Sequence, residues 1–406
     1  MLAPSQPEIE ERIVALRGGI GSVSGVRVSG VHAGIKRRKR DLALIVFERE
    51  QACAAVVTTN DVKAAPIIVS SEHLATGMGV RALVCNSGCA NACTGERGDR
   101  DARATAAQAA ALLDVAPQQV LVASTGVIGV PLPLDRVQRA LERCVEQLDE
   151  GLKAAHDAAE AIMTTDRVPK LSAYAFYHES KRYTIGGIAK GSGMISPNMA
   201  TMLAFLATDF PVAKDDLQRL LTAAVAETFN MISVDGDMST NDAVYLFAPQ
   251  GSLAPPPLFE QVLGKVALDL ALAMVDDAEG ATKRLEVRVV GAHDSAQARA
   301  VARAVVNSSL VKTALYGEDP NWGRIVAAAG AARVGFEDRT WSLTLNGRTW
   351  VERGGIEALS EAEAHRLLEE REIVVTLDLG LGVGVATAWG CDLSRDYVRI
   401  NASYRT

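Results

Sequence analysis

Gly187-Ile188-Ala189-Lys190-Gly191-Ser192-Gly193-Met194-Ile195-Ser196-Pro197-Asn198-Met199-Ala200-Thr201-Met202-Leu203-Ala204-Phe205 stands almost at the midpoint of a chain of 406 residues. A lysine and three glycines lead into a Pro-Asn turn, and a threonine then opens an apolar run. Gly and Pro punctuate local structure because one frees φ and the other fixes it. The run after Thr201 has the length and bounding of a buried strand, and 183–189 before the loop reads as another strand. Thr201 is thus a hydroxyl at a loop-to-strand junction, preceded by a small alanine. The plainer reading is a Gly-rich turn before a core strand, with Thr201 hydrogen-bonded and inert.

Working outward, the composition sets bounds. Length allows two or three domains at about 150 residues each. A hydrophobic content of 48% with 22% charged residues is that of a globular protein. The net charge of −7 argues against a nucleic-acid surface and favours no nucleic-acid partner. Residues 1–17 mix Glu and Arg without an apolar segment, so no secretory signal is expected. The most apolar window, 120–134, is broken by Gly126, Gly129, Pro131 and Pro133, so no membrane span is expected. Six cysteines in such a chain read as reduced thiols, and the expected location is cytoplasmic. Cys85, Cys89 and Cys93 repeat at four residues, but no histidine is near in sequence and neither zinc nor iron–sulfur spacing is met. No metal is expected.

The N-terminal part reads as short strands at 26–29, 42–47, 55–59 and 82–85, interrupted by the basic run Lys36-Arg37-Arg38-Lys39-Arg40, which reads as a solvated loop. A helix is expected over 102–113. Val120 to Gly129 reads as a buried strand ending in a Thr125-Gly126 turn, whose freed N–H groups could meet an anion or a developing oxyanion. A plain strand terminus fits these residues equally well. Asp135 is a candidate N-cap for one long helix carrying Val137, Leu141, Cys144, Leu148 and Leu152, ending near Met163. The stretch 233–242 is dense in carboxylates and hydroxyls but fails the calcium-loop pattern, and reads as a polar turn that helps shape a site.

Residues 251–257, with three consecutive prolines, form the clearest linker. The remainder alternates strands and helices, with a type I′ hairpin at Asn346-Gly347 and a Ser360/Glu363 capping box. Gly380-Leu381-Gly382 joins two strand patterns and opens no helix, so no dinucleotide fingerprint is present, and Lys190-Gly191 reverses the phosphate-loop pair.

A threonine hydroxyl needs a base to act as a nucleophile at neutral pH. Its own α-amino group, with a pKa near 8, can serve if Thr201 becomes an N-terminus. The chain could expose it unaided. Thr201 Oγ attacks the Ala200 carbonyl, the acyl group shifts from N to O, and water hydrolyses the ester. Ala200 leaves room for the attack, and the glycines allow a strained loop.

Residues 190–204 closely resemble the self-cleavage signature of the ornithine acetyltransferase (glutamate N-acetyltransferase) family of arginine biosynthesis. The resemblance continues in Val122-Ala123-Ser124-Thr125-Gly126-Val127-Ile128-Gly129, Ala161-Ile162-Met163-Thr164-Thr165-Asp166, the stretch 234–242, the stretch 312–324, and the terminal Asn401-Ala402-Ser403-Tyr404-Arg405-Thr406. It implies that Thr201 is both the self-processing residue and the acetyl-carrying nucleophile. Thr125 and Gly126 then form the oxyanion hole, and Thr164, Lys190, Glu279, Asn401 and Thr406 contact an amino-acid substrate. Cys89 stands where the family usually has Asn, and no catalytic role is placed on it.

The fold so implied is a layered α/β sandwich, with two sheets between helices and a smaller C-terminal α/β domain. Residues 1–250 would form the catalytic domain, and 251–406 a smaller domain whose tail returns to the site. Cleavage would give chains 1–200 and 201–406, associated as a heterotetramer of two of each. The expected reaction moves acetyl from N2-acetylornithine to glutamate by a ping-pong mechanism without a cofactor. The residues leave open whether acetyl-CoA is also a donor. An N-terminal-nucleophile amidase or aminopeptidase, passing the acyl group to water, is the alternative. A non-catalytic amino-acid-binding protein of the same fold is a third.

Overall fold

The computed structural model describes residues 13–195, 202–335 and 340–403. Two β-sheets organise it. The larger, of nine strands, runs Ile13–Leu16, Lys170–His178, Lys181–Lys190, Leu203–Thr208, Ala243–Pro249, Leu42–Val57, Val80–Cys89 and Val120–Val127, with Val26–Val31 also paired to Leu42–Val57. Two pairs are parallel, Leu203–Thr208 with Ala243–Pro249 and Val80–Cys89 with Val120–Val127; the others are antiparallel. The smaller sheet, of seven strands, runs Ile356–Glu357, Arg348–Glu352, Ser342–Leu345, Glu372–Asp378, Arg284–Ala292, Gly384–Cys391 and Ile232–Ser233. The layered α/β architecture is the expected one.

Alternation sets the layers, since successive side chains of a strand face opposite ways. In Leu203–Thr208, Leu203, Phe205 and Ala207 join one core with the alanine-rich helix Gly151–Ile162. Ala204 and Leu206 join another with the helices Lys214–Glu227 and Pro257–Asp276. That second core continues into Leu285, Val287 and Val289 of the smaller sheet and its helix Ser295–Asn307. The helix Pro257–Asp276 touches strands of both sheets, and Ile232–Ser233, which precedes residue 251, pairs with Gly384–Cys391. Packing therefore runs across the 250/251 boundary. Lys312 strengthens this junction: buried, it donates to the Cys391 carbonyl at 2.8 Å and to that of Ser233 at 3.4 Å.

Several local expectations are corrected. Residues 42–47 and 55–59 are not separate strands; one strand spans Leu42–Val57, with a register shift between Val46 and Gln51 against its neighbour and an exposed stretch at 48–50. The expected long helix is two, Leu134–Glu146 and Gly151–Ile162. Gly151 takes a φ of +83° at the break, where a Cβ would be strained. Pro133, not Asp135, occupies the N-cap, and Leu152 is exposed. Thr125-Gly126 is not a turn beyond the strand, which continues to Val127. Gly126, at φ +131°, lies directly across from Gly88, and a Cβ there would collide with the Gly88 backbone. The hairpin is as expected, with φ positive at both Asn346 and Gly347. So is the capping box, in which the Ser360 hydroxyl accepts from Glu363 N while the Glu363 carboxylate accepts from Ser360 N.

Candidate active site

Lys190 and Leu203, on either side of the segment that carries Ala200 and Thr201, lie opposite each other on antiparallel neighbours of the large sheet. Leu203 in turn lies beside Ala243, the first residue of the parallel strand Ala243–Pro249. At this end of the sheet is a cavity of about 110 Å³. Thr125, Gly126, Thr164, Lys190, Glu279 and Asn401 all line it. They arrive from five separate places: the end of Val120–Val127, the residues after Gly151–Ile162, the end of Lys181–Lys190, the turn after Pro257–Asp276, and the helix Arg395–Ser403. Ala200, Thr201 and Thr406 lie outside the described residues.

A buried charge network supports the cavity floor. Lys190 is buried and its Nζ donates to Thr125 Oγ1 at 3.4 Å. Burial lowers its pKa, opposed by Asp166. Asp166 accepts from Thr164 N at 3.0 Å through one oxygen, and from Gly191 N at 2.8 Å and Lys170 Nζ at 2.7 Å through the other. Burial pushes the Asp166 carboxyl up, but Lys190 and Lys170 together overbalance it and hold it down to about 2. Lys170 also donates to Asp277 at 2.7 Å, and Asp277 takes the Arg167 guanidinium at 2.9 Å. One carboxylate thus fixes both sides of the cavity, Thr164 and the start of the central loop. A charge buried with its hydrogen bonds made is held rigidly, and costs far more when one partner is removed.

The polar turn 233–242 acquires a physical role. Asp235 accepts from Met194 N at 2.6 Å and Ile195 N at 2.8 Å, the last described residues before the central segment. Asp242 accepts from Met202 N at 3.0 Å, the first described amide after it. The segment carrying Ala200 and Thr201 is therefore held at both ends by carboxylates of one turn. Burial raises both, and the Asp242 carboxyl is pushed up to about 8 despite the Met202 amide and Lys190. From the same turn Asn241 donates to the carbonyls of Ala90 and Ser124, at 2.7 and 2.9 Å, which fixes the backbone just ahead of Thr125.

On the opposite wall Asn401 Nδ2 donates to Glu279 Oε2 at 2.8 Å, and Tyr397 from the same helix donates to Asp235 at 3.1 Å. Gly193 lets the Glu279 carboxylate lie close, since a Cβ there would stand 2.6 Å from its carboxyl carbon. Cys85 and Cys89 are buried with their thiols pushed up by that burial, which removes thiolate character. From sequence, Asp166 falls in a matching motif and Asp235, Asn241 and Asp242 fall in a site-shaping polar turn, without any of them receiving a role of its own, and Tyr397 is missed. Thr164-Thr165-Asp166 and Asp235-Gly236-Asp237 carry turn signals, but the partners that tie them to the site, Gly191 for Asp166 and Tyr397 for Asp235, are 25 and 162 residues away.

Small volume, convergent hydroxyl, ammonium and carboxylate groups, and a segment anchored at both ends define an α/β enzyme acting on a small polar substrate. A model of the ArgJ family matches residues 27–406, and the chain belongs to that family. It is 47% identical over 403 residues to the arginine biosynthesis bifunctional protein ArgJ of Caldanaerobacter subterraneus, covering 96% of this chain and 99% of the relative. The same protein of a Bacillus cereus strain is 43% identical over 397 residues, covering 96% and 97%. The solved ornithine acetyltransferase of Mycobacterium tuberculosis, in complex with ornithine, is 41% identical over 46% of this chain and 98% of its own, with a TM-score of 0.42.

Proposed function

We propose that this protein, an acyltransferase of arginine biosynthesis, moves acetyl from N2-acetylornithine to glutamate through an acetyl ester on Thr201. The observation that carries the reading is the single cavity lined by Thr125, Gly126, Thr164, Lys190, Glu279 and Asn401, beside the segment bracketed by Asp235 and Asp242. Membership of the family supports it.

In this account the chain first cuts itself between Ala200 and Thr201, giving chains 1–200 and 201–406 that stay together as a heterotetramer of two of each in the cytoplasm. The freed α-amino group of Thr201 takes the proton from its own hydroxyl as Oγ attacks the acetyl carbonyl. Thr125 Oγ1 and Gly126 N–H stabilise the oxyanion, a role worth about 3–4 kcal/mol per donor in other acyl transfers. Lys190 meets the substrate carboxylate, and Glu279, held by Asn401, meets the ornithine side-chain ammonium. Thr164 and Thr406 complete the contacts. Ornithine leaves with the returned proton, and the α-amine of glutamate then attacks the ester and departs as N-acetylglutamate. No cofactor takes part; acetyl-CoA would serve as an additional donor.

Release of ornithine from acetylornithine separates transfer from hydrolysis. Without glutamate we expect one turnover per active site and then arrest; with glutamate, continuous turnover. Continuous release at the same rate without glutamate would establish the amidase alternative instead.

A further inference from the structure

Asp242 has a capacity that anchoring does not use. It is fully buried at the end of the large sheet, where Lys190, Leu203 and Ala243 lie side by side on three adjacent strands. One carboxyl oxygen, Oδ1, accepts from Met202 N at 3.0 Å. The other, Oδ2, is buried and has no hydrogen-bond partner among the described residues. A buried carboxylate oxygen without a donor is unfavourable, because it has lost water and gained nothing in return. A carboxyl that keeps a proton on that oxygen avoids the charge and becomes an O–H donor.

The placement is rigid. Ala243 N donates to the Met202 carbonyl at 3.2 Å, so Asp242 and Ala243 between them hold both polar groups of the Met202 backbone. Thr58 N donates to the Asp242 carbonyl at 3.0 Å, which fixes the turn from the neighbouring strand end. Lys190 is the charged group that faces Asp242, and Met202 N and Ser239 are the polar ones. Burial outweighs all three, which favour the anion, and the proton is held up to about pH 8. Lys190 is a divided partner, since its own charge is disfavoured by burial and is supported by Asp166 before Asp242.

The nitrogen next along the chain from Met202 N is Thr201 N. Bond lengths keep successive backbone nitrogens within about 4 Å of each other. Thr201 N is also the atom that must gain a proton when the Ala200–Thr201 bond breaks, because an unprotonated amide nitrogen would have to leave as a strongly basic anion.

We propose that Asp242 is the proton donor of self-cleavage, passing the Oδ2 proton to Thr201 N as the Ala200–Thr201 bond breaks. This assignment rests on the reading that the chain cuts itself, and supplies the acid which that reaction needs. Thr201 Oγ forms a C–O bond to the Ala200 carbonyl carbon and gives its proton to water. The C–N bond breaks, and the electron pair left on nitrogen takes the Asp242 proton. The carboxylate recovers a proton from water, so the shift from amide to ester neither gains nor loses one. No oxidant or reductant is involved.

The test follows the full-length chain, pulse-labelled in cell-free translation at neutral pH and chased in buffers from about pH 6 to pH 9.5. Gel electrophoresis resolves the 406-residue precursor from its products. Asp242→Asn keeps a carbonyl to accept from Met202 N but has no proton to give. Wild type should be cut at least about 100-fold faster than this variant at pH 7, the lower end of what a positioned acid contributes. Above about pH 8 that advantage should shrink by up to tenfold per pH unit as the carboxyl ionises. Comparing the two chains at each pH cancels the ionisation of Oγ, which they share. A purely structural loss would lower the rate by the same factor throughout. Asp242→Glu, which puts an ionisable proton back, should be cut at least about tenfold faster than Asp242→Asn at pH 7 and guards against reading a folding defect as a chemical one. A wild-type advantage under about threefold, an advantage unchanged between pH 7 and pH 9.5, or a Glu variant no faster than the Asn variant would overturn the assignment. Any of these in a wild type that is cut refutes the acid alone. Wild type that transfers acetyl yet stays whole refutes self-cleavage itself.

Discussion

Thr201→Ala is expected to leave one uncut polypeptide of 406 residues and to lower acetyl transfer by at least about 10⁴-fold. Both losses follow from one atom. Without Oγ no N-to-O acyl shift occurs at the Ala200 carbonyl, and no ester can carry the acetyl group. The substitution removes one hydroxyl and one methyl, and the anchors on either side, Asp235 on Met194 and Ile195 and Asp242 on Met202, are untouched. The variant should therefore fold with a normal thermal midpoint. Gel electrophoresis reads cleavage and a steady-state assay reads transfer. A variant that is cut, or that retains more than about a hundredth of wild-type rate, places the nucleophile elsewhere.

Asp166→Ala is expected to cost stability rather than a single catalytic step. Asp166 is the shared partner of Thr164 N, Gly191 N and Lys170, and its charge also offsets Lys190. Truncation leaves two buried ammonium groups with less negative charge between them, since Asp277 still holds Lys170 alone. Breaking such buried pairs costs about 3–5 kcal/mol. The urea midpoint at neutral pH should fall accordingly, at unchanged slope. The pH dependence carries the sign. Burial opposes ionisation, but Lys190 and Lys170 depress the folded-state pKa to about 2, below the unfolded value. Its contribution is therefore present above about pH 4 and lost as pH falls toward 2. The variant should lack that part of the acid decline. A shift worth under about 1 kcal/mol, or an unaltered acid limb, contradicts this account of the network.

How much of this was legible beforehand depends on the range of the interaction. The strand that begins at Val120, the Asn346-Gly347 hairpin and the Ser360/Glu363 cap rest on neighbouring residues, and the sequence states them directly. Of the six described candidates, Thr125 and Gly126 were offered by the residues themselves as a strand-end anion site. Thr164, Lys190, Glu279 and Asn401 received their roles from the family resemblance, and residue spacing alone would not have gathered the six. What the sequence hid depends on distant partners. Leu42–Val57 looks like two strands because its middle, 48–50, is exposed and polar where the neighbouring register slips. The two helices between 134 and 162 look like one because Leu148 and Leu152 sustain the apolar spacing across the break at Gly151. Helix Ala65–Ala75 was missed although Pro66 stands in its first turn, a position where Pro is at home. The carboxylates that shape the site read as turn and motif residues without partners, since Asp166 meets Gly191 and Asp235 meets Tyr397 across the fold. The basic run read as a solvated loop; its place over a cleft depends on Asp41, whose carboxylate accepts from Lys36 N, and on Gly88, where a Cβ would meet Lys36.

The central claim is a covalent one, that Thr201 carries the acetyl group. Intact-protein mass spectrometry after brief incubation with acetylornithine alone tests it most directly. The account predicts two chains, 1–200 and 201–406, with the second heavier by one acetyl group that disappears when glutamate is added. An active enzyme that stays one unmodified chain of 406 residues would contradict it.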